Sequence, residues 1–322
     1  MTDGIPGSED REWLRQTFGD AMRTDVSLAP YTSARIGGAA DVLVEVRSAV
    51  ELAEAVRALW KRGLAFRMLG GGSNVLVADA GVREVVLLNR ARSKRFEQAD
   101  SGPLVWAESG ASLGTIARQA AERGWSGMEW AAGVPGTLGG AIVGNAGAHG
   151  GDMAGSLIMA EILQQDGRQE SWPVERLDYG YRSSVLKRNP GPVVLAGTLR
   201  LAPSTQEACK ERMREFSAQR ERTQPPGASM GSMFKNPAGD YAGRLLDEAG
   251  LKGLRIGNAS ISSKHANFFM NEGSASAQDV LSLIEAARQR VKDEFGVTLE
   301  LEIELVGDWG RAALSPRDRS ES

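Results

Sequence analysis

The sequence predicts an α+β protein with more than one core. Three observations carry that expectation. At 322 residues the chain is long for a single compact core and suits two or three. Its first elements read strand, helix, strand, strand, a small mixed layer. The run Gln224-Pro225-Pro226-Gly227 is a strong chain breaker and marks a domain boundary region.

In chain order, residues 1–20 read as a loosely held leader. Asp41–Val46 reads as a strand. Ser48 is placed to cap a helix, with Glu51 completing a capping box. Leu52, Ala55, Val56, Leu59 and Trp60 share one face of that helix, and Gly63 stops it. Phe66–Leu69 is a second strand running straight into Gly70-Gly71-Gly72-Ser73-Asn74, and Val85–Leu88 is a third. Leu104–Glu108 is strand-like. Ser112 caps a helix to about Arg123, ended by Gly124. The stretch Gly133–Gly151 holds eight glycines and no long helix. Short strands follow around Met159–Gln164 and Val193–Leu199. Ser204 and Glu207 form another capping box, opening a polar helix to about Arg222 with Cys209, Met213 and Phe216 inward. Beyond the breaker come Gly231–Pro237 and helical Tyr241–Ala249. Ser276 and Asp279 then start a helix with Val280, Ile284, Ala287, Val291 and Phe295 at helical spacing, stopped by Gly296. The final strand alternates Val297, Leu299, Leu301, Ile303 and Leu305 against Thr298, Glu300, Glu302 and Glu304. Gly310–Ser322 reads as a polar tail.

Composition excludes several classes. Lys plus Arg is 38 and Asp plus Glu 41, a net charge of −3, so no global field favours nucleic acid or an anionic membrane. A single cysteine, Cys209, excludes a disulfide framework within the chain and a cysteine-based zinc site. With only two histidines, His149 and His265, a histidine-rich metal site is excluded, though an oxygen-ligand site is not; no metal is expected. No stretch approaches the roughly 20 apolar residues that cross a bilayer. Met1–Asp10 has no signal pattern. These features point to a cytoplasmic protein, and a monomer is expected.

Several motifs could carry chemistry. Consecutive glycines at the strand end Gly70–Asn74 let backbone N–H groups approach a phosphate, with Ser73 and Asn74 adding side-chain donors; a plain tight turn is an equal alternative. The second loop, Gly133–Gly151, is costly in chain entropy. A dinucleotide pyrophosphate and a flavin ring wedged against bare backbone would require it. Neither loop is G-x-G-x-x-G, so an ordinary NAD-binding domain is disfavoured. Tyr181-Arg182-Ser183-Ser184 offers a guanidinium flanked by hydroxyls, or merely a surface arginine. Gly231-Ser232-Met233-Phe234-Lys235-Asn236-Pro237 has no nucleophile elbow, so Ser232 is a proton donor if it acts at all, or a turn serine. His265, in Lys264–Asn271, reads more readily as structural than catalytic. Glu300, Glu302 and Glu304 share a face, either solvated or aimed into a cleft with raised proton affinity.

In order, the blocks GGGSNVL, GVPGTLGGAIVGNAGAHGG, YRSS, GSMFKNP, AGRLLDEAGLKG, SSKHANFFMN and LELEIELVG closely resemble the UDP-N-acetylenolpyruvoylglucosamine reductase family, over about residues 25–307. The resemblance implies a PCMH-type (vanillyl-alcohol-oxidase-like) FAD-binding region, residues 25–203, of two subdomains meeting near residue 90. A C-terminal α+β substrate domain over 204–307 would close on the substrate, with a leader, 1–24, and a tail, 308–322, outside. It implies FAD as cofactor, NADPH as co-substrate, and UDP-N-acetylglucosamine enolpyruvate as the group reduced, giving UDP-N-acetylmuramate for peptidoglycan. Hydride comes from flavin N5 and the proton from a serine. Carried over residue by residue, the catalytic positions are Arg182, Ser232 and Glu302, the last chosen over Glu300 and Glu304 on the family's pattern alone. Flavin contacts fall on Arg35, Gly70, Gly71, Gly72, Ser73, Asn74, Gly136, Thr137, Gly139, Gly140, Asn145 and Ala148. Substrate contacts fall on Lys235, Asn236 and His265.

The chain departs from the family at His149, where a tyrosine is usual, and at Glu304, where many members carry arginine. The Gln224–Gly231 linker is about one residue short. Only 50 positions separate Arg182 from Ser232, which leaves no room for the longer type's tyrosine-bearing loop. A PCMH-type oxidase of alcohols or lactones, and a non-catalytic nucleotide-binding protein that kept the fold, are the rival readings.

Overall fold

The computed structural model describes residues 4–310. Three sheets, each with its own helices, stand for the three predicted regions. The first is four-stranded, in the order Met22–Ser27, Ala39–Val46, Val82–Asn89, Phe66–Leu69. Its last three strands run parallel and Met22–Ser27 antiparallel. Ala39–Val46 is buried on both faces: Val42, Val44 and Val46 pack on the helix Ala49–Arg62, and Ala40 and Leu43 pack on the opposite side. That helix starts and stops as its residues dictate. The Ser48 side chain accepts from Glu51 N, and Gly63 ends the helix in the left-handed region at φ 72°.

The second sheet is five-stranded and antiparallel, in the order Gln169–Pro173, Leu157–Leu163, Val193–Arg200, Gly102–Glu108, Lys94–Ala99. The helices Leu113–Ala121 and Leu138–Gly144 cover it. Glu108, 5% exposed, joins the two sheets: its carboxylate oxygens accept from Ala49 N and Ser93 N, both at 2.8 Å. The third sheet is antiparallel, Ala228–Ser232, Phe268–Asn271, Ala259–Ile261, Arg255–Ile256, and packs with the helices Ala242–Glu248 and Ala277–Phe295.

Some expectations need correction. The N-terminal segment is not a loose leader from residue 4 onward. Ser8–Phe18 is a helix whose Leu14 is fully buried, and Arg62 and Arg11 tie it through Asp10 and Asp41. The helix Gln206–Thr223 is capped by Thr205, which accepts from Ala208 N at 3.1 Å, rather than by Ser204. Ser204 is still held by the preceding extended segment, donating its N–H to Gly124 O at 2.7 Å. This helix packs its Met213 on the second core, so the change of core falls at the proline breaker after it. Lys264–Asn267 is a turn, and the strand begins only at Phe268. The alternation of the last segment is real in burial, but the segment is no single strand. It bends at Glu302 and Ile303, and only Glu304–Val306 is regular. Trp309, in the predicted tail, packs on the third core, and the tail beyond residue 310 lies outside the described residues.

Glu304–Val306 does not join its own domain's sheet. It runs parallel to Val75–Val77, the strand that follows the first glycine loop. Nearby, the Asp79 carboxylate accepts from Ala277 N and Gln278 N at 2.8 and 3.0 Å, capping the long helix of the C-terminal domain from outside it.

Candidate active site

The two glycine loops meet backbone to backbone. A Cβ on Gly71 would stand 3.0 Å from Gly136 Cα, and Gly136 itself sits at φ +118° against Ser73 Oγ. Only bare backbone fits there. Among the described residues no backbone hydrogen bond is donated by Gly71, Gly72 or Ser73, so their N–H groups are free for a ligand. A cleft of about 400 Å³ opens on this junction. Its lining takes in Gly70–Asn74, Gly136, Thr137, Gly139 and Gly140 from the two loops, and Arg182, Ser232 and Glu302 from later segments. Free amide donors beside Cβ-less walls are what a dinucleotide's pyrophosphate and flat ring need.

Arg182 is at the tip of a tight turn closed by Gly180 N donating to Ser183 O at 3.0 Å and Ser183 N to Gly180 O at 3.2 Å. Its φ of +54° costs a non-glycine residue about 1 kcal/mol or more. Three ties to the second loop and its short helix hold it there. Tyr179 OH donates to Ile142 O at 2.9 Å, Ser184 Oγ to Val143 O at 2.6 Å, and Asn145 Nδ2 to Gly180 O at 3.0 Å.

Ser232 ends a strand, and the chain beyond it pairs irregularly with the bent final segment. Glu302 N donates to Met233 O and Lys235 N to Glu300 O, both at 2.9 Å. Asn267, 3% exposed, holds this turn by accepting from Phe234 N and donating to Phe234 O. Asn74 joins from the first loop: its Nδ2 donates to Glu302 O at 3.0 Å. Serine and glutamate are thereby fixed on adjoining segments in one cleft.

Arg182 Nε lies 2.8 Å from Glu302 Oε1. Arg182 Nε itself has no hydrogen-bond partner in this arrangement. The Glu302 side chain is 15% exposed. Burial pushes its carboxyl above the usual range, and the charges of Arg182, Lys187 and Lys235 oppose the shift without cancelling it.

The cleft does not gather every predicted residue. Arg35, Asn145, Ala148, Lys235, Asn236 and His265 are absent from its lining. Arg35 is exposed. Asn145 spends its amide on Gly180 O and on Ala154 N, Lys235 stands 3.5 Å from Glu300, and Asn236 Oδ1 accepts from Ala242 N. His265 Nδ1 accepts from Asn267 N at 3.2 Å, and burial lowers its proton affinity. The His149 ring stacks on Phe216, centroids 4.3 Å apart, so its stacking partner is the Gln206–Thr223 helix. Sequence reasoning missed Lys187, Asn89 and Ser109, which also line the cleft. Lys187 stood within reach, five residues after Arg182. Asn89 and Ser109, bonded to each other at 2.8 Å, lie at strand ends with no motif to flag them.

Comparison with known proteins decides the relationship. The family model for the C-terminal domain of UDP-N-acetylenolpyruvoylglucosamine reductase matches residues 222–306, and an FAD binding domain model matches 40–171. The UDP-N-acetylenolpyruvoylglucosamine reductase of Chloroflexus aggregans is 42% identical over 300 residues, covering 91% of this chain and 100% of that one. The chain belongs to the UDP-N-acetylenolpyruvoylglucosamine reductase family. The family member of Rubrobacter xylanophilus is 44% identical over 288 residues, 89% of this chain and 96% of that one. The crystal structure of the reductase from Thermus caldophilus superposes with a TM-score of 0.76 at 39% identity, covering 88% of this chain and 99% of that one. The FAD binding domain match spans residues 40–171, which include strands of both the first and the second sheet. Among the described residues no cluster of His, Cys, Asp and Glu is arranged to hold a metal, and no helix is long and apolar enough to cross a membrane.

Proposed function

We propose that this chain is an FAD-containing, NADPH-dependent reductase that converts UDP-N-acetylglucosamine enolpyruvate into UDP-N-acetylmuramate, a peptidoglycan precursor. The observation that carries the reading is the meeting of Arg182, Ser232 and Glu302 in the cleft walled by both glycine loops. The Gly70–Asn74 and Gly136–Gly140 walls hold the cofactor, which when bound supplies the hydride from its N5. Arg182 and the protonated Glu302 grip the substrate carboxylate, where negative charge accumulates once the double bond is attacked; each donor contributes about 3 kcal/mol. Burial of Glu302 supports the protonated form. The Ser232 hydroxyl delivers the proton to the carbon bearing the carboxylate. On this reading Lys235, Asn236 and His265, which stand outside the cleft lining, would meet the sugar nucleotide beyond it. Arg35, Asn145 and Ala148, outside the cleft lining, would support the cofactor only at its periphery. The proposal places the reaction in the cytoplasm, where NADPH and nucleotide sugars are available.

Stopped-flow absorbance of the two half-reactions tests it. NADPH is expected to bleach the flavin, and the enolpyruvyl sugar nucleotide to restore its colour anaerobically. In Ser232→Ala bleaching survives while recovery slows roughly a hundredfold or more. Equal loss in both half-reactions rules out the proton-donor role. Recovery that needs oxygen and ignores the sugar nucleotide points instead to an oxidase.

A further inference from the structure

One cation of the cleft has no salt-bridge partner. Arg182 faces Glu302, Arg188 is paired with Asp178, and Lys235 is 3.5 Å from Glu300. Lys187 lines the same cleft, half-buried, and among the described residues no carboxylate forms a salt bridge with it, Glu304 of the lining included. Its backbone is fixed. The Lys187 N–H is turned onto Ser184 Oγ at 3.3 Å, Ser184 is fully buried and bonded to Val143 O, and the adjacent Leu186 is buried in the second core. A half-buried ammonium with no salt bridge, whose charge reaches a carboxyl, Glu302, that burial pushes toward its neutral form, is placed to take an anion from outside the chain.

Charge bookkeeping says which one, on the proposed reaction. The substrate carboxylate carries one negative charge. Hydride addition forms a C–H bond at the methylene carbon and drives the π electrons onto the neighbouring carbon and into the carboxylate, so the intermediate carries two. Protonation then breaks the Ser232 O–H bond, forms the second C–H bond and returns the substrate to one. Against the doubly charged intermediate, Arg182 supplies one positive charge and a protonated Glu302 none. We propose that Lys187 is the second cation at the reacting end, binding the substrate carboxylate opposite Arg182. This rests on the reading of the function given above.

Two nucleotides that differ in this carboxylate test it, by calorimetry on the FAD-loaded protein: UDP-N-acetylmuramate, which has it, and UDP-N-acetylglucosamine, which lacks it. Lys187→Gln is expected to weaken the first by roughly tenfold to a hundredfold and leave the second unchanged. Lys187→Arg is expected to recover most of the loss. The rate of flavin bleaching by NADPH should stay as in the parent protein. Equal weakening of both nucleotides would move the contact to the diphosphate, a loss confined to NADPH would assign the ammonium to the dinucleotide, and unchanged binding would leave it without a role; each overturns the proposal. If the parent protein itself fails to bind UDP-N-acetylmuramate, the reductase reading falls and the role of Lys187 falls with it.

Discussion

Glu302 illustrates how a side chain acquires a function from its neighbours. Three glutamates alternate along the last segment, and their spacing alone gives no reason to prefer one. The surroundings do. Glu300 is 69% exposed beside Lys235, whereas Glu302 is only 15% exposed beside Arg182. Because burial raises the Glu302 pKa above its value in the unfolded chain, the group stabilises the fold fully below its unfolded pKa. That contribution is lost as pH rises through the folded value. Glu302→Gln cannot ionise. In thermal melts from about pH 4 to pH 8, the parent protein is therefore expected to lose stability relative to Glu302→Gln as pH rises; a constant difference would mean the carboxyl is not perturbed. Arg182, Ser232 and Glu302, the proposed catalytic trio, stood out in the sequence only as blocks in order, and Lys187 did not stand out at all. Whether a lysine is free or paired is decided by carboxylates distant in sequence.

At the level of elements, local chemistry read well wherever the cause was local. Ser48, Ser112 and Ser276 cap the helices they were expected to cap. The cap at Thr205 was read one residue early, because Ser204 spends its N–H on Gly124 O, far off in the chain. The final strand was read too long for a related reason: alternation reports burial, and burial persists through the bend at Glu302 and Ile303. The second glycine loop contains the short helix Leu138–Gly144, which three glycines made hard to see. The loops also set the limit on substitution. Gly71→Ala places a methyl 3.0 Å from Gly136 Cα, where neither backbone has room to yield. It is expected to cost about 1–3 kcal/mol and to lower the flavin content of the purified protein. Full occupancy, read from the ratio of visible to protein absorbance, would show that the loops tolerate separation.

Over the whole molecule, three cores are held in register by a few long-range ties. Glu108 bridges the first two sheets, and Asp79 caps a helix of the third region from the first. Asp79→Ala leaves two helix N–H groups without acceptors and is expected to destabilise the protein by about 0.5–2 kcal/mol. The loss should appear as earlier unfolding of the C-terminal domain in hydrogen exchange, while the second sheet keeps its protection. Uniform loss across all three cores would make the molecule one cooperative unit. The α+β class was legible from periodicity and the family blocks. The return of the last strand to the first region was not, since nothing in Glu304–Val306 announces its partner.

That return has a consequence for synthesis. Asn74 and Glu302 touch across 228 positions of chain. As the polypeptide emerges from the ribosome, the glycine loops and the first two sheets are complete long before the segment that closes the cleft exists. Until then Val75–Val77 presents an open edge, which is exposed to mispairing with other chains. Cofactor present during translation would bind the loops and protect that edge, so flavin starvation should show first as aggregation of the newborn chain rather than as an inactive folded enzyme.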